Sequence, residues 1–210
     1  MATTDINKII KCFMVAKQIN HYYWMHAPNS DHRIRIENVQ RIVETMTKKK
    51  IIKKSVSTGG TIIRGMTERY ADKALIYIRK EQSLEWQRYT AIKELCHIVY
   101  DEADDFEPDP LKTLEQLVLK RTLTLGEPTS PALLSERLAE ITALEIIYPL
   151  EFRQSDAADL QAGRHMDDLV AYRQIPGVHI ERGTDSEYIA ACVGMWKILP
   201  EVSPATLAEF

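Results

Sequence analysis

One block of the sequence, residues 51–79, reads as strand, and helical patterns flank it on both sides. Ala74-Leu75-Ile76-Tyr77-Ile78-Arg79 is the clearest strand signal, a short apolar run rich in β-branched and aromatic residues. Ile51 to Ser57 alternates weakly, Gly59-Gly60 marks a turn, and Thr61 to Thr67 follows as the returning strand. Strands so short and so close in sequence predict a small antiparallel sheet. Such a sheet must bury a face against helices, which constrains the chain to an α+β fold.

The helices are read from apolar spacing. Ile6, Ile9, Ile10, Phe13, Met14, Val15 and Ile19 mark a helix over 5–24, and Thr4 or Asp5 is placed to cap it. Ile36, Val39, Ile42, Val43 and Met46 mark a second over 35–47. A third runs from about Leu84 to Tyr100, with Ser83 as its N-cap. The acidic, proline-bounded stretch 101–110 reads as a loop and Leu111 to Leu123 as a helix, broken by Gly126 to Pro131. Leu133 to Ile147 is the next helix, stopped at Pro149, and short helices follow at 156–160, 166–173 and 188–198.

Composition removes several classes of protein. Of 210 residues, 45% are hydrophobic and 27% charged, which excludes a disordered or low-complexity chain. No apolar run approaches the ~20 residues of a membrane helix, and the N-terminus lacks the basic-then-apolar pattern of a signal peptide. Cys12, Cys96 and Cys192 form no CxxC pair. A reduced, cytoplasmic protein with no membrane partner is the expectation. Charge is divided unevenly: residues 1–100 carry 18 basic and 9 acidic side chains, residues 101–210 carry 9 and 21. Attraction between the halves of one fold explains this most simply. A basic surface for nucleic acid or an acidic partner is the sharper reading.

The chemistry concentrates in Arg88-Tyr89-Thr90-Ala91-Ile92-Lys93-Glu94-Leu95-Cys96-His97. In an HExxH helix, two histidines one turn apart face one zinc ion and the intervening glutamate activates its water. Here Glu94 and His97 hold the glutamate and second-histidine positions, and Lys93 holds the first. Downstream runs Glu136-Arg137-Leu138-Ala139-Glu140-Ile141-Thr142-Ala143-Leu144-Glu145-Ile146-Ile147-Tyr148-Pro149.

This order of strand, R-Y-T-A lead, K-E-x-x-H and later E-x-x-A helix resembles the ImmA/IrrE family of small zinc-metallopeptidase-like proteins. Its active helix reads approximately R-F-T-x-A-H-E-L-x-H, and a later helix, E-x-x-A-N-x-F-A-x-x-L-L-x-P, brings a third, acidic ligand. Glu136, Ala139, Ala143, Ile146, Ile147 and Pro149 fall on the second pattern, while Glu140 and Thr142 occupy its Asn and Phe positions. The resemblance implies a minimal zincin-like core over 35–185, preceded by an N-terminal helical segment (1–34) and followed by a C-terminal helical tail (186–210), all in one compact unit. It implies His97 and Glu136 as metal ligands and Glu94 as the ancestral general base.

Lys93 departs from that pattern. A protonated ammonium cannot ligate zinc, and two remaining ligands hold the metal weakly. No cofactor is therefore expected, unless another residue rescues a zinc site. His21 and His26 are five apart and miss the i, i+4 spacing, and His179 follows the Pro176-Gly177 turn. Cys96 lies about 100° round the helix from its neighbour His97, so a Cys–His nucleophilic pair is not expected. Lys93 instead reads as a cation that fills the site, neutralising Glu136, with Glu140 one turn on as a second candidate carboxylate.

The run Lys48-Lys49-Lys50-Ile51-Ile52-Lys53-Lys54 is the other feature. It reads as a helix end entering a strand, with lysines complementing the helix dipole. Its alternative use is phosphate binding by Lys48, Lys49, Lys50, Lys53 and Lys54. No helix-turn-helix or aromatic-basic platform stands out in the sequence. The resemblance implies a catalytically impaired regulatory protein of a bacterium, phage or mobile element that binds a partner such as a helix-turn-helix repressor. Two alternatives remain open: an active metallopeptidase with a non-standard ligand cleaving a repressor, and a non-enzymatic DNA-binding protein using 48–54.

Overall fold

The computed structural model describes residues 3–26, 34–57, 63–100, 131–190 and 193. Three strands, β1 (Lys50–Val56), β2 (Gly65–Arg69) and β3 (Lys73–Arg79), form one sheet in the order β1-β3-β2. Around it lie α1 (Thr3–His26), α2 (Ile36–Thr47), α3 (Leu84–Tyr100), α4 (Pro131–Ile147), α5 (Leu150–Gln161), α6 (Met166–Arg173) and α7 (Gly177–Thr184). This is the α+β architecture expected, a small sheet packed with helices.

β3 is central because it is the most apolar strand. Ala74, Ile76 and Ile78 turn inward and are buried, while Lys73, Leu75, Tyr77 and Arg79 alternate outward. The sheet is mixed rather than wholly antiparallel. β2 pairs antiparallel with β3 across the turn at Tyr70–Asp72, but β1 pairs parallel with β3, Lys50 beside Lys73 and Val56 beside Arg79. The expected hairpin between β1 and β2 does not form, because β3 lies between them. Its Gly59-Gly60 turn lies outside the described residues. Lysines at 50, 53 and 54 keep β1 polar, which suits a strand with one unpaired edge.

α3 crosses the inner face of the sheet, with α2 beside it and α4 on its other side. Enclosed on several sides, α3 buries Tyr89, Ala91, Ile92, Leu95, Cys96 and Ile98, and also the polar Arg88, Thr90, Glu94 and His97. α1 closes the core against α4, where Asn20 Nδ2 donates to the Glu145 carbonyl at 2.9 Å. α4 starts at Pro131, a residue suited to the first turn, where its missing N–H costs nothing.

Arg88 ties the C-terminal helices to this core. Its guanidinium donates to the carbonyls of Arg173 (2.9 Å), Gln174 (3.0 Å) and Ile34 (2.8 Å). The first two are C-terminal carbonyls of α6, where positive charge is favoured. Two buried ion pairs brace the same region: Arg153 with Glu145 at 2.6 Å, and Arg173 with Asp156 at 2.9 and 2.6 Å. α7 was not expected; Pro176-Gly177 begins a helix rather than a turn. The predicted 101–110 loop and 111–123 helix lie outside the described residues, as does most of 188–198. No described helix is long and apolar enough to cross a membrane.

Candidate functional site

The candidate site forms where α3 faces α4, with β2 passing over one end. On α3 the four-residue spacing places Lys93 and His97 on one face, one turn apart. Glu136 of α4 meets both: its Oε2 lies 2.7 Å from Lys93 Nζ, and its Oε1 lies 3.4 Å from His97 Nε2. Glu94 adds a second carboxylate, with Oε1 3.3 Å from Lys93 Nζ. Lys93, Glu94 and His97 are nearly enclosed, whereas Glu136 keeps 27% of its side chain exposed and marks the mouth of the site.

Two residues without a spacing signature complete the arrangement. Thr67 of β2 donates through Oγ1 to Glu94 Oε2 at 2.8 Å. Ser135 of α4 sets its Oγ 3.2 Å from His97 Nδ1. Neither was singled out in the sequence. β2 reaches Glu94 because of Gly65: a Cβ there would lie 2.5 Å from Thr90 Cγ2 and 2.9 Å from Glu94 Oε1. A side chain at 65 would push the strand off the helix.

Electrostatics fix the protonation of the central pair. Burial works against the Lys93 charge, but Glu94 and Glu136 outweigh it and raise its pKa far above the ordinary lysine value. Burial likewise works against Glu136 ionising, but Lys93 and then His97 outweigh it and hold its pKa well below the usual carboxylate range. Both shifts favour the charged pair, an ammonium beside a carboxylate.

Glu140 makes no ion pair with Lys93 among the described contacts, but its charge helps to raise the Lys93 pKa. Its Oε2 turns to Arg137 at 3.0 Å, and Glu94 takes the place of second carboxylate beside Lys93. The lysine run is dispersed. Lys48 ends α2 with a left-handed backbone, Lys49 Nζ donates to the Tyr70 carbonyl at 3.0 Å, and Lys53 lies 3.8 Å from Glu37. Lys50 and Lys54 project from the sheet face turned away from α3. Cys96 packs in the core. His179 is half-buried, stacked on Tyr89 with ring centres 4.1 Å apart and edge-on to Trp86 at 5.1 Å.

The donor set does not fit a zinc ion. His97 and Glu136 offer two donors, and between them stands a charged amine whose lone pair is taken by its proton. Among the described residues, no three His, Cys, Asp or Glu side chains gather as a metal cluster. No family model, curated protein or solved structure matches the chain.

Proposed function

We propose that this chain is an ImmA/IrrE-like regulatory protein in which the Lys93 ammonium occupies the place of the metal. In this reading it works in the cytoplasm of a bacterium, or is encoded by a phage or mobile element. It acts by binding a protein partner, such as a helix-turn-helix repressor, and not by hydrolysing it. One observation carries the proposal: Lys93 Nζ sits 2.7 Å from Glu136 and 3.3 Å from Glu94, at the position where the resemblance expects a ligand histidine.

The chemistry follows from that placement. A peptide hydrolase of this type needs a Lewis acid and a base with a water to activate. Glu94 is instead held by Lys93 and Thr67, and Glu136 by Lys93 and His97. These contacts tie α3, α4 and β2 together where they meet, although the buried Glu94 Oε1 has the Lys93 ion pair at 3.3 Å and no hydrogen bond. A rigid scaffold with a half-open mouth suits recognition. The acidic stretch 101–109, which lies outside the described residues, adds charge complementary to a basic DNA-binding protein.

The test is incubation with a candidate helix-turn-helix repressor, followed by size-exclusion chromatography and gel analysis. The expected result is co-elution of an intact repressor, unchanged by a chelator. Repressor fragments that a chelator suppresses would overturn the proposal in favour of an active metallopeptidase.

A further inference from the structure

The face of the sheet turned away from α3 gathers side chains that the sequence scatters between positions 50 and 77. The register puts Lys50 beside Lys73, Ile52 beside Leu75, and Lys54 beside Tyr77. On the other side of β3, Glu68 lies beside Leu75 and Met66 beside Tyr77, and Tyr70 follows on the same face. Among the described residues, the helices that pack on the sheet, α2 and α3, lie against the opposite face, where Ala74, Ile76 and Ile78 are buried. Met66 and Tyr70 keep 48% and 45% of their surface exposed.

We propose that this open face binds single-stranded nucleic acid. Two tyrosine rings are the stacking platforms and three lysines are the phosphate contacts. Lys54 Nζ stands 5.5 Å from the centre of the Tyr77 ring, and Lys73 Nζ stands 5.2 Å from that of Tyr70. Each ammonium lies over its ring, so a base stacking there displaces the lysine from the ring face to its own phosphate. Both phenol hydroxyls donate to Glu68 Oε2, at 3.1 Å from Tyr70 and 3.0 Å from Tyr77. That shared acceptor fixes the two rings relative to each other. Glu68 is the one carboxylate on the face at these register positions, set against Lys50, Lys54 and Lys73.

The shape selects single strands over duplex. Three strands make a surface about 10 Å wide, and among the described residues no helix or ribbon protrudes from it to enter a groove. Stacking needs base faces already open to solvent. An acidic peptide would use the lysines but would leave the rings without a role. The surface shares no residue with the Lys93 cluster, so the two proposals fail independently.

The experiment is fluorescence anisotropy of the full chain with a labelled oligothymidylate and a labelled oligouridylate over a salt series. Three phosphate contacts predict a log–log salt slope of about −2, reduced by about 0.7 in Lys54→Glu. Tyr77→Ala weakens binding by at least about 5-fold, Tyr70→Ala does likewise, and Tyr77→Phe retains it because the ring remains. Circular dichroism confirms folding, and if Tyr77→Ala misfolds, Tyr70→Ala and Lys54→Glu decide the matter. Any of three results overturns the proposal: equal affinity for a duplex, equal competition by a glutamate-rich peptide, or unchanged affinity in folded tyrosine and lysine variants.

Discussion

Replacing Lys93 by alanine removes the ammonium that lies between two carboxylates. Glu136 then loses a partner at 2.7 Å and Glu94 loses one at 3.3 Å, and both stay where α3 meets α4. Breaking a buried ion pair from one side costs about 3–5 kcal/mol. Glu136 is 27% exposed, so water takes up part of the lost interaction, and about 2–3 kcal/mol is expected. Against a total stability of about 5–15 kcal/mol this is a large loss. With an m-value of about 2 kcal/mol per molar urea, the unfolding midpoint falls by about 1–1.5 M. Urea titration followed by circular dichroism measures it. The double variant Lys93→Met/Glu136→Gln recovers only the share due to Glu136, since Glu94 keeps its hydrogen bond from Thr67 but stays buried without the ammonium. The dependence on pH has a definite sign. The Glu136 pKa is lowered in the folded parent, so its contribution is present above the ordinary value of 4.5 and fades as pH falls towards the lowered one. Parent and Lys93→Ala therefore differ most near neutral pH and converge in acid. A midpoint change worth less than about 0.5 kcal/mol, the range of ordinary surface substitutions, would refute the reasoning.

Three other perturbations have expected outcomes. Arg153→Ala strands the buried Glu145 carboxylate, now paired at 2.6 Å, and destabilises by about 3–5 kcal/mol in thermal or urea unfolding. Gly65→Ala forces a Cβ against Thr90 and Glu94 and costs about 1–3 kcal/mol, with altered chemical shifts at both residues by NMR. His179 has its pKa lowered to about 4, by burial first and then by Arg182 and Arg64. Stability is therefore lost as pH falls from about 6.5 through 4, and His179→Phe flattens the unfolding profile within that window.

Much of the fold was legible because its signals are local. α2, β3, α3 and α6 follow directly from apolar spacing, and Leu133 to Ile147 foretold α4 to within its first turn. The parallel pairing of β1 with β3 was not legible. It joins segments more than twenty positions apart, while the Gly59-Gly60 signal favoured a hairpin that β3 displaces. α7 was hidden because Pro176 followed by Gly177 serves a turn and a helix start equally well. At the site, the i, i+4 rule placed Lys93 and His97 together, and the structure brings Glu136 to both. The sequence offered Glu140 as Lys93's second carboxylate and did not offer Glu94, which follows Lys93 directly and has no helical spacing to mark it; Glu140 pairs with Arg137. Thr67 and Ser135 had no signal, because a hydroxyl that bonds across elements has no preferred spacing. The open sheet face escaped notice for a related reason: Tyr70, Lys73 and Tyr77 meet through the β2–β3 pairing, and Lys54 joins them only once β1 lies beside β3.

Zinc titration of the parent and of Lys93→His, by calorimetry with mass-spectrometric metal counting, tests most directly whether Lys93 stands in the place of a metal. The introduced imidazole would add a third donor to His97 and Glu136 and remove the competing charge. The expected result is no stoichiometric zinc on the parent and one zinc on Lys93→His, lost again when Glu136→Ala is added. Stoichiometric zinc on the parent, or none on Lys93→His while it remains folded, would contradict the account.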